Sequence, residues 1–135
     1  MTDFVIQQEL PSPQEYNRLR EAVGWKPFAI TQCEIGLRAS LYCVCARHDH
    51  ELAGMSRIVG DGALCFYLQD IIVSPRFQRR GLGTALVERL MEHLRDNAPA
   101  DAYVRLFAAK DVAPFYERFG FAIRPTDSPA MQMPR

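Results

Sequence analysis

The chain has no excess of charge, no long apolar run and no cysteine framework, and each absence removes a class of function. Its 135 residues carry 16 Lys and Arg against 16 Asp and Glu. The basic residues are scattered, so the basic face that a nucleic-acid partner requires is missing. No apolar stretch approaches the ~20 residues of a membrane-spanning helix. Met1-Thr2-Asp3-Phe4 lacks the charged and apolar regions of a signal peptide. These features predict a soluble, cytoplasmic protein with no nucleic-acid or membrane partner. Cys33, Cys43, Cys45 and Cys65 form no C-x-x-C pair; small buried hydrophobes fit their spacing better than a zinc site or disulfides. His48-Asp49-His50 falls in a polar turn, and no metal is expected. Without a repeat or a linker, residues 1–135 read as one domain, and the 48% of hydrophobic residues suffices for a sizeable core.

Periodicity divides the chain into elements. Residues 4–10 predict a first strand. Ser12-Pro13-Gln14-Glu15 has the form of a capping box with proline at the first helical position, opening a helix that buries Tyr16, Leu19 and Val23 and stops at Gly24. Residues 31–40 predict a short second helix. A three-stranded meander follows over 41–46, 52–59 and 64–73, with Gly60-Asp61-Gly62 as its second turn. Leu82, Leu86, Leu90 and Leu94 mark the clearest helix, which leaves His93 on its wet side. A strand over 102–108, a short helix capped by Asp111 and stopped by Gly120, and a last strand over 121–124 complete the order. Met131 and Met133 in the tail are placed against an apolar edge. A strand–helix–strand unit of this length implies a parallel crossover. The fold class is therefore α/β (α+β), with an antiparallel front and a parallel central pair.

The chemistry concentrates in Gln78-Arg79-Arg80-Gly81-Leu82-Gly83-Thr84, between a buried strand and a strongly amphipathic helix. A glycine-bearing strand-to-helix turn presents bare N–H groups and the positive end of a helix dipole to an anion. The spacing G-x-x-x-x-G-K-[ST] of a P-loop is absent, as are the third glycine and acidic residue of a dinucleotide fingerprint. The residues alone thus predict a phosphate or pyrophosphate cradle, with a tight turn and two solvated arginines as the bland alternative.

The stretch from Val73 to Leu86 resembles the acetyl-CoA motif of the GNAT N-acetyltransferase superfamily, [R/Q]-x-x-G-x-[G/A], met by Gln78, Gly81 and Gly83. A second family feature, Phe115-Tyr116-Glu117-Arg118-Phe119-Gly120-Phe121, follows at the right distance. The resemblance implies a mostly antiparallel sheet of about six strands with a central splayed parallel pair and about four helices. It implies acetyl-CoA as co-substrate, with Ile71, Ile72 and Val73 along its pantetheine arm and Gln78, Arg79, Arg80, Gly81, Leu82, Gly83 and Thr84 at its pyrophosphate. It makes Tyr116 the general acid, and it makes the protein an N-acetyltransferase acting on a small-molecule or peptide primary amine, in a family whose members often form homodimers. A non-catalytic acyl-CoA-binding or sensing module would keep the turn without needing Tyr116. Two departures stand out. Ala109 replaces the asparagine many relatives carry. The strand positions where some relatives carry a basic Glu or His hold Tyr67 and Gln69, expected to share a face with Ile71 while Asp70 points away. Tyr67, Gln69 and Phe28 are read as substrate-pocket candidates, with Trp25 and Tyr42 as weaker ones.

Overall fold

The structure, a computed structural model, describes residues 3–135; Met1 and Thr2, part of the stretch compared with a signal peptide, lie outside them. The periodic segments become β1 (Val5–Gln8), α1 (Pro13–Ala22), α2 (Ile30–Arg38), β2 (Tyr42–His48), β3 (Glu51–Gly60), β4 (Cys65–Val73), α3 (Leu82–Asn97), β5 (Tyr103–Leu106) and α4 (Ala113–Glu117), with a 3-10 turn at Pro75–Phe77. The sheet runs β1-β2-β3-β4-β5. Its first three pairings are antiparallel, and β4 pairs β5 in parallel across the α3 crossover. Among the described residues no helix is long and apolar enough to cross a membrane.

Local chemistry accounts for the boundaries. Ser12 and Glu15 exchange both hydrogen bonds of the capping box. Arg47 on β2 then clamps the carboxylates of Glu9 and Glu15, which holds the Glu15 pKa down at about 2 and fixes the start of α1 against the sheet. The Asp61 carboxylate accepts from the N–H groups of Ala63, Leu64 and Cys65 and so shapes the β3–β4 turn.

The expected last strand does not form, so the sheet has five strands and its parallel pair lies at the edge. Gly120 turns the chain at a φ of +96°, Phe121 packs its ring toward Tyr116, and Arg124 bonds forward to the Ser128 carbonyl. Ile123 stays 77% exposed, and Pro125 removes a ladder donor. Asp111 does not cap α4: it sits at a φ of +66° and leaves Val112 at the helix start. His93 is not simply solvated. It stacks on Tyr42 with ring centroids 4.0 Å apart, and burial lowers its pKa. Met131 and Met133 are exposed and cap nothing.

Both faces of the sheet are covered over β2–β4. On one, Leu82, Leu86, Leu90 and Leu94 of α3 pack on Val44, Ile58, Phe66 and Leu68. On the other, Tyr16 and Leu19 of α1 and Cys33 and Leu37 of α2 pack on Cys43, Cys45, Met55 and Ile72. Cys33, Cys43 and Cys45 are thus core residues, and all four cysteines are free. Gly54 lets α3 approach β3 closely: a Cβ there would lie 2.9 Å from the Ile72 carbonyl oxygen and 3.1 Å from Leu86. Gly54→Ala is expected to destabilise the fold by about 1–3 kcal/mol through overpacking, read as a lower urea midpoint at unchanged slope.

Candidate active site

The site is built where β4 leaves its neighbour. β4 and β5 pair only from Cys65↔Tyr103 to Leu68↔Leu106. Beyond Leu68, β4 continues to Val73 with β3 alone as partner. The Ser74 N–H donates to the Ala53 carbonyl at 2.8 Å, which makes Val73↔Gly54 a pair exchanging no bonds of its own. The N–H and C=O of Val73 therefore point away from β3 into the gap, where Gln78 Nε2 donates to that carbonyl at 3.0 Å.

A β-bulge sits where the gap opens. Arg57 lies opposite Gln69, and Met55 opposite Ile72, so β4 carries one extra residue between them. Asp70 takes the left-handed conformation, with a φ of +54°, as Asp tolerates better than most residues. The bulge reverses the alternation of the strand. Phe66 and Leu68 face α3 before it, and Ile71 and Val73 face α3 after it. Tyr67 and Gln69, paired with Val59 and Arg57, occupy the α1–α2 face. The expectation that Tyr67 and Gln69 share a face with Ile71 is thus corrected, as is that of Asp70 facing away from them. Asp70 is buried beneath α1, its Oδ2 accepting from Tyr16 Oη at 2.7 Å and Arg57 Nε at 2.8 Å.

The turn after β4 makes the other wall of the groove. Phe77 is buried beneath it, and Arg79 and Gly81 take left-handed φ values of +66° and +79°. No side chain caps α3, and its first bonded amide is Ala85, to the Gly81 carbonyl at 3.1 Å. The N–H groups of Leu82, Gly83 and Thr84 are left free at the positive end of a 16-residue helix. The resulting groove of about 300 Å³ is lined by Ile71, Val73, Gln78, Arg79, Gly81 and Leu82, and also by Gly83, Thr84, Phe115 and Tyr116. Two of the expected cofactor residues fall outside this lining. Ile72 points its side chain into the opposite core and its backbone toward its partner Met55 on β3, and the Arg80 guanidinium rests 5.8 Å from the Phe77 ring centroid.

Tyr116, on α4, closes the far side. Its ring packs edge-on against Phe115 at 5.0 Å. Burial alone raises its phenol pKa above the ordinary value, so the hydroxyl keeps its proton at neutral pH. The residue borders both the groove and a second, mostly apolar cavity of about 380 Å³ between β5, α4 and the tail. The aromatic acceptor candidates separate. Phe28 lines a pocket on the α1–α2 face with Tyr16 and Arg57, Tyr67 stacks beside Phe107 at 6.1 Å, and Tyr42 belongs to the α3 face. Among the described residues no group of three His, Cys, Asp or Glu side chains could hold a metal.

Residue types alone hid Arg57, Arg20 and the role of Asp70. The signals were an arginine alternating with Met55 in an apolar strand, and Gln69-Asp70, two adjacent polar residues that break the period of two.

Comparison with known proteins agrees with this geometry. Residues 6–121 match the sequence model of the acetyltransferase (GNAT) family. The chain is 31% identical over 118 residues to "Histone acetyltransferase TAP1" of Glycine max, covering 79% of this chain and 50% of that protein. It is 29% identical over 111 residues to the "Uncharacterized N-acetyltransferase ycf52" of Pyropia yezoensis, covering 79% of this chain and 63% of that protein. The chain therefore spans less than two-thirds of either relative. A solved structure from meticillin-resistant Staphylococcus aureus, described as a protein of unknown function and probable acetyltransferase, superposes with a TM-score of 0.91 at 28% identity, covering 98% of this chain and 99% of that one.

If the free amides cradle an anion, filling the space above them removes it. A Cβ at Gly83 would meet only ordinary contacts, 3.8 Å from Phe115 and 3.9 Å from Val73, so Gly83→Val is expected to fold. Its calorimetric affinity for acetyl-CoA should fall at least about tenfold, the effect of losing one or two charge-assisted hydrogen bonds. Undiminished affinity would remove the cradle from this turn.

Proposed function

The chain belongs to the GNAT acetyltransferase family, and we propose that it is a single-domain enzyme that moves an acetyl group directly from acetyl-CoA to a primary amine. One observation carries the reading: the unpaired edge of β4, the free amides of α3 and Tyr116 border the same groove. The amides, with Arg79 beside them, suit the pyrophosphate. The pantetheine arm continues along Ile71 to Val73 as an extra strand, bonded by backbone groups that β5 has left unpaired. The Val73 N–H then faces the thioester oxygen and supports the negative charge that develops there.

The amine nitrogen attacks the thioester carbon, and the carbon–sulfur bond breaks as the tetrahedral intermediate collapses. Coenzyme A leaves as thiolate and takes a proton from Tyr116, while the nitrogen gives up its proton to water, and solvent returns a proton to the tyrosinate to restore the enzyme. Both substrates are held together, so no covalent enzyme intermediate is needed and proximity supplies much of the rate. The reading assigns no protein side chain as base, because the Asp70 carboxylate is engaged by Tyr16 and Arg57 and its side chain is only 1% exposed. An alkylamine with a pKa near 10.4 is then drawn from its small neutral fraction. A cytoplasmic setting belongs to the same reading and is supported by four free thiols.

Release of free thiol from acetyl-CoA across a panel of amines tests the activity. Tyr116→Phe is expected to lower kcat by about 10² or more, the usual weight of a positioned proton donor, and to leave acetyl-CoA affinity nearly unchanged. A variant with undiminished kcat would take Tyr116 out of the mechanism, whereas acetyl-CoA binding by the wild type with no thiol release across the amine panel would favour an acyl-CoA-binding module.

A further inference from the structure

A further pocket, of about 180 Å³, lies between α1, α2 and Arg57 of β3, lined by Tyr16, Phe28, Gln32, Gly36 and Leu37 among others. Its charges do not balance. Among the described residues Asp70 is the only acidic partner of two arginines whose side chains are largely buried, Arg57 at 13% and Arg20 at 14% exposure. Arg57 directs Nε to Asp70 at 2.8 Å and Nη1 to the Gly36 carbonyl and the Ser40 hydroxyl at 3.2 and 3.1 Å. Among the described residues its Nη2 has no partner. Arg20 lies 3.6 Å from Asp70 Oδ1, an oxygen that is buried without a hydrogen bond. The Arg20 guanidinium is also packed 4.5 Å from the Phe28 ring centroid and 5.4 Å from that of Trp25. Tyr16 does not add negative charge: burial and the neighbouring Asp70 push its pKa up to about 12. Arg20 does not line the pocket and also donates Nε to the Lys26 carbonyl at 2.9 Å. The cluster of Arg57, Arg20 and Asp70 thus sets two positive charges against one negative charge beside the pocket, where an anion is favoured over a neutral group.

We propose that this pocket binds the carboxylate of the acceptor, so that the enzyme acts on small amines that also carry an acid group, with Arg57 as the residue that selects them. A guanidinium edge matches a carboxylate in shape and charge, and the pocket has room for that group and a few carbons. The pocket and the groove lie on either side of β4, where Asp70 holds Arg57 and Ile71, the next residue, lines the groove; the proposal requires the acceptor to span that strand to bring its amine to the thioester. A strongly basic peptide is disfavoured by the same charge.

The inference rests on the acetyl-transfer reading, and the test separates the two. Acetyl-CoA binding is measured first by calorimetry on the whole protein; its absence defeats the acetyl-transfer reading. The pocket is then judged by binding of phenylacetate against phenylacetamide, and by thiol release with phenylalanine against phenethylamine and lysine against cadaverine. The wild type should prefer the carboxylate member by at least about tenfold, as for a hydrogen bond to a charged group. Arg57→Gln should abolish that preference and keep acetyl-CoA affinity. Because Arg57→Gln also strips a partner from buried Asp70, Gly36→Leu provides a second arm. A Cβ at Gly36 meets nothing within 4 Å, and the larger side chain fills the pocket while every ion pair stays. It should abolish the same preference. Equal or reversed preference in the wild type, or a preference that survives Gly36→Leu, overturns the proposal.

Discussion

The carboxylate of Asp70 joins three elements at the one residue where β4 changes its partners. Through Tyr16 it ties α1 to the sheet, and through Arg57 it ties β3 to the bulge. The extra residue in β4 falls just past the last β4–β5 pair. A bulge bends and twists its strand, so the bulged β4 can keep β3 as partner to Val73 while β5 diverges. The groove that results has a wall of unpaired backbone, which only a strand or an extended ligand can satisfy. Ile71 and Val73 face that groove because the bulge reversed their parity; without it they would lie under α1 and α2.

Two sources of positive potential meet across this strand and differ in kind. At the turn after β4 the donors are main-chain amides at a helix start, fixed by the fold and open to solvent. They suit a large, highly charged group such as a pyrophosphate, whose remaining charge water can share. On the α1–α2 face the donors are arginine side chains, mostly buried and only partly neutralised. Screening is weak there, so one ligand charge counts for more than it would at the surface. Under the proposal, the division gives each substrate its own anion site, with β4 between them.

Much of this was legible in the residues, and the misses share one cause. The α3 stripe of leucines, the Ser12–Glu15 box and the Gly81–Gly83 turn are local patterns, and each has the predicted form. The groove followed because the motif at Gln78–Thr84 and Tyr116 are brought together by a fold that the resemblance anticipated. What escaped depends on pairing across the sheet. Tyr67, Gln69 and Asp70 were placed by strict alternation, which a single left-handed residue reverses. The pairing of Arg57 with Asp70 spans two strands and carries no local period. The strand expected over 121–124 had the right composition, yet Phe121 finds a better partner in Tyr116 and Pro125 ends the ladder early.

In the proposed function the gap beside β4 takes the extended arm of coenzyme A in addition to its phosphates. Calorimetric titration with coenzyme A and with 3′-phospho-ADP, which share the anionic end and differ by the arm, tests it most directly. Strand-like hydrogen bonds along Ile71 to Val73 predict that coenzyme A binds at least about tenfold more tightly. Equal affinities would mean that the turn holds phosphates while the gap stays idle, and would rule out a strand-like arm along β4.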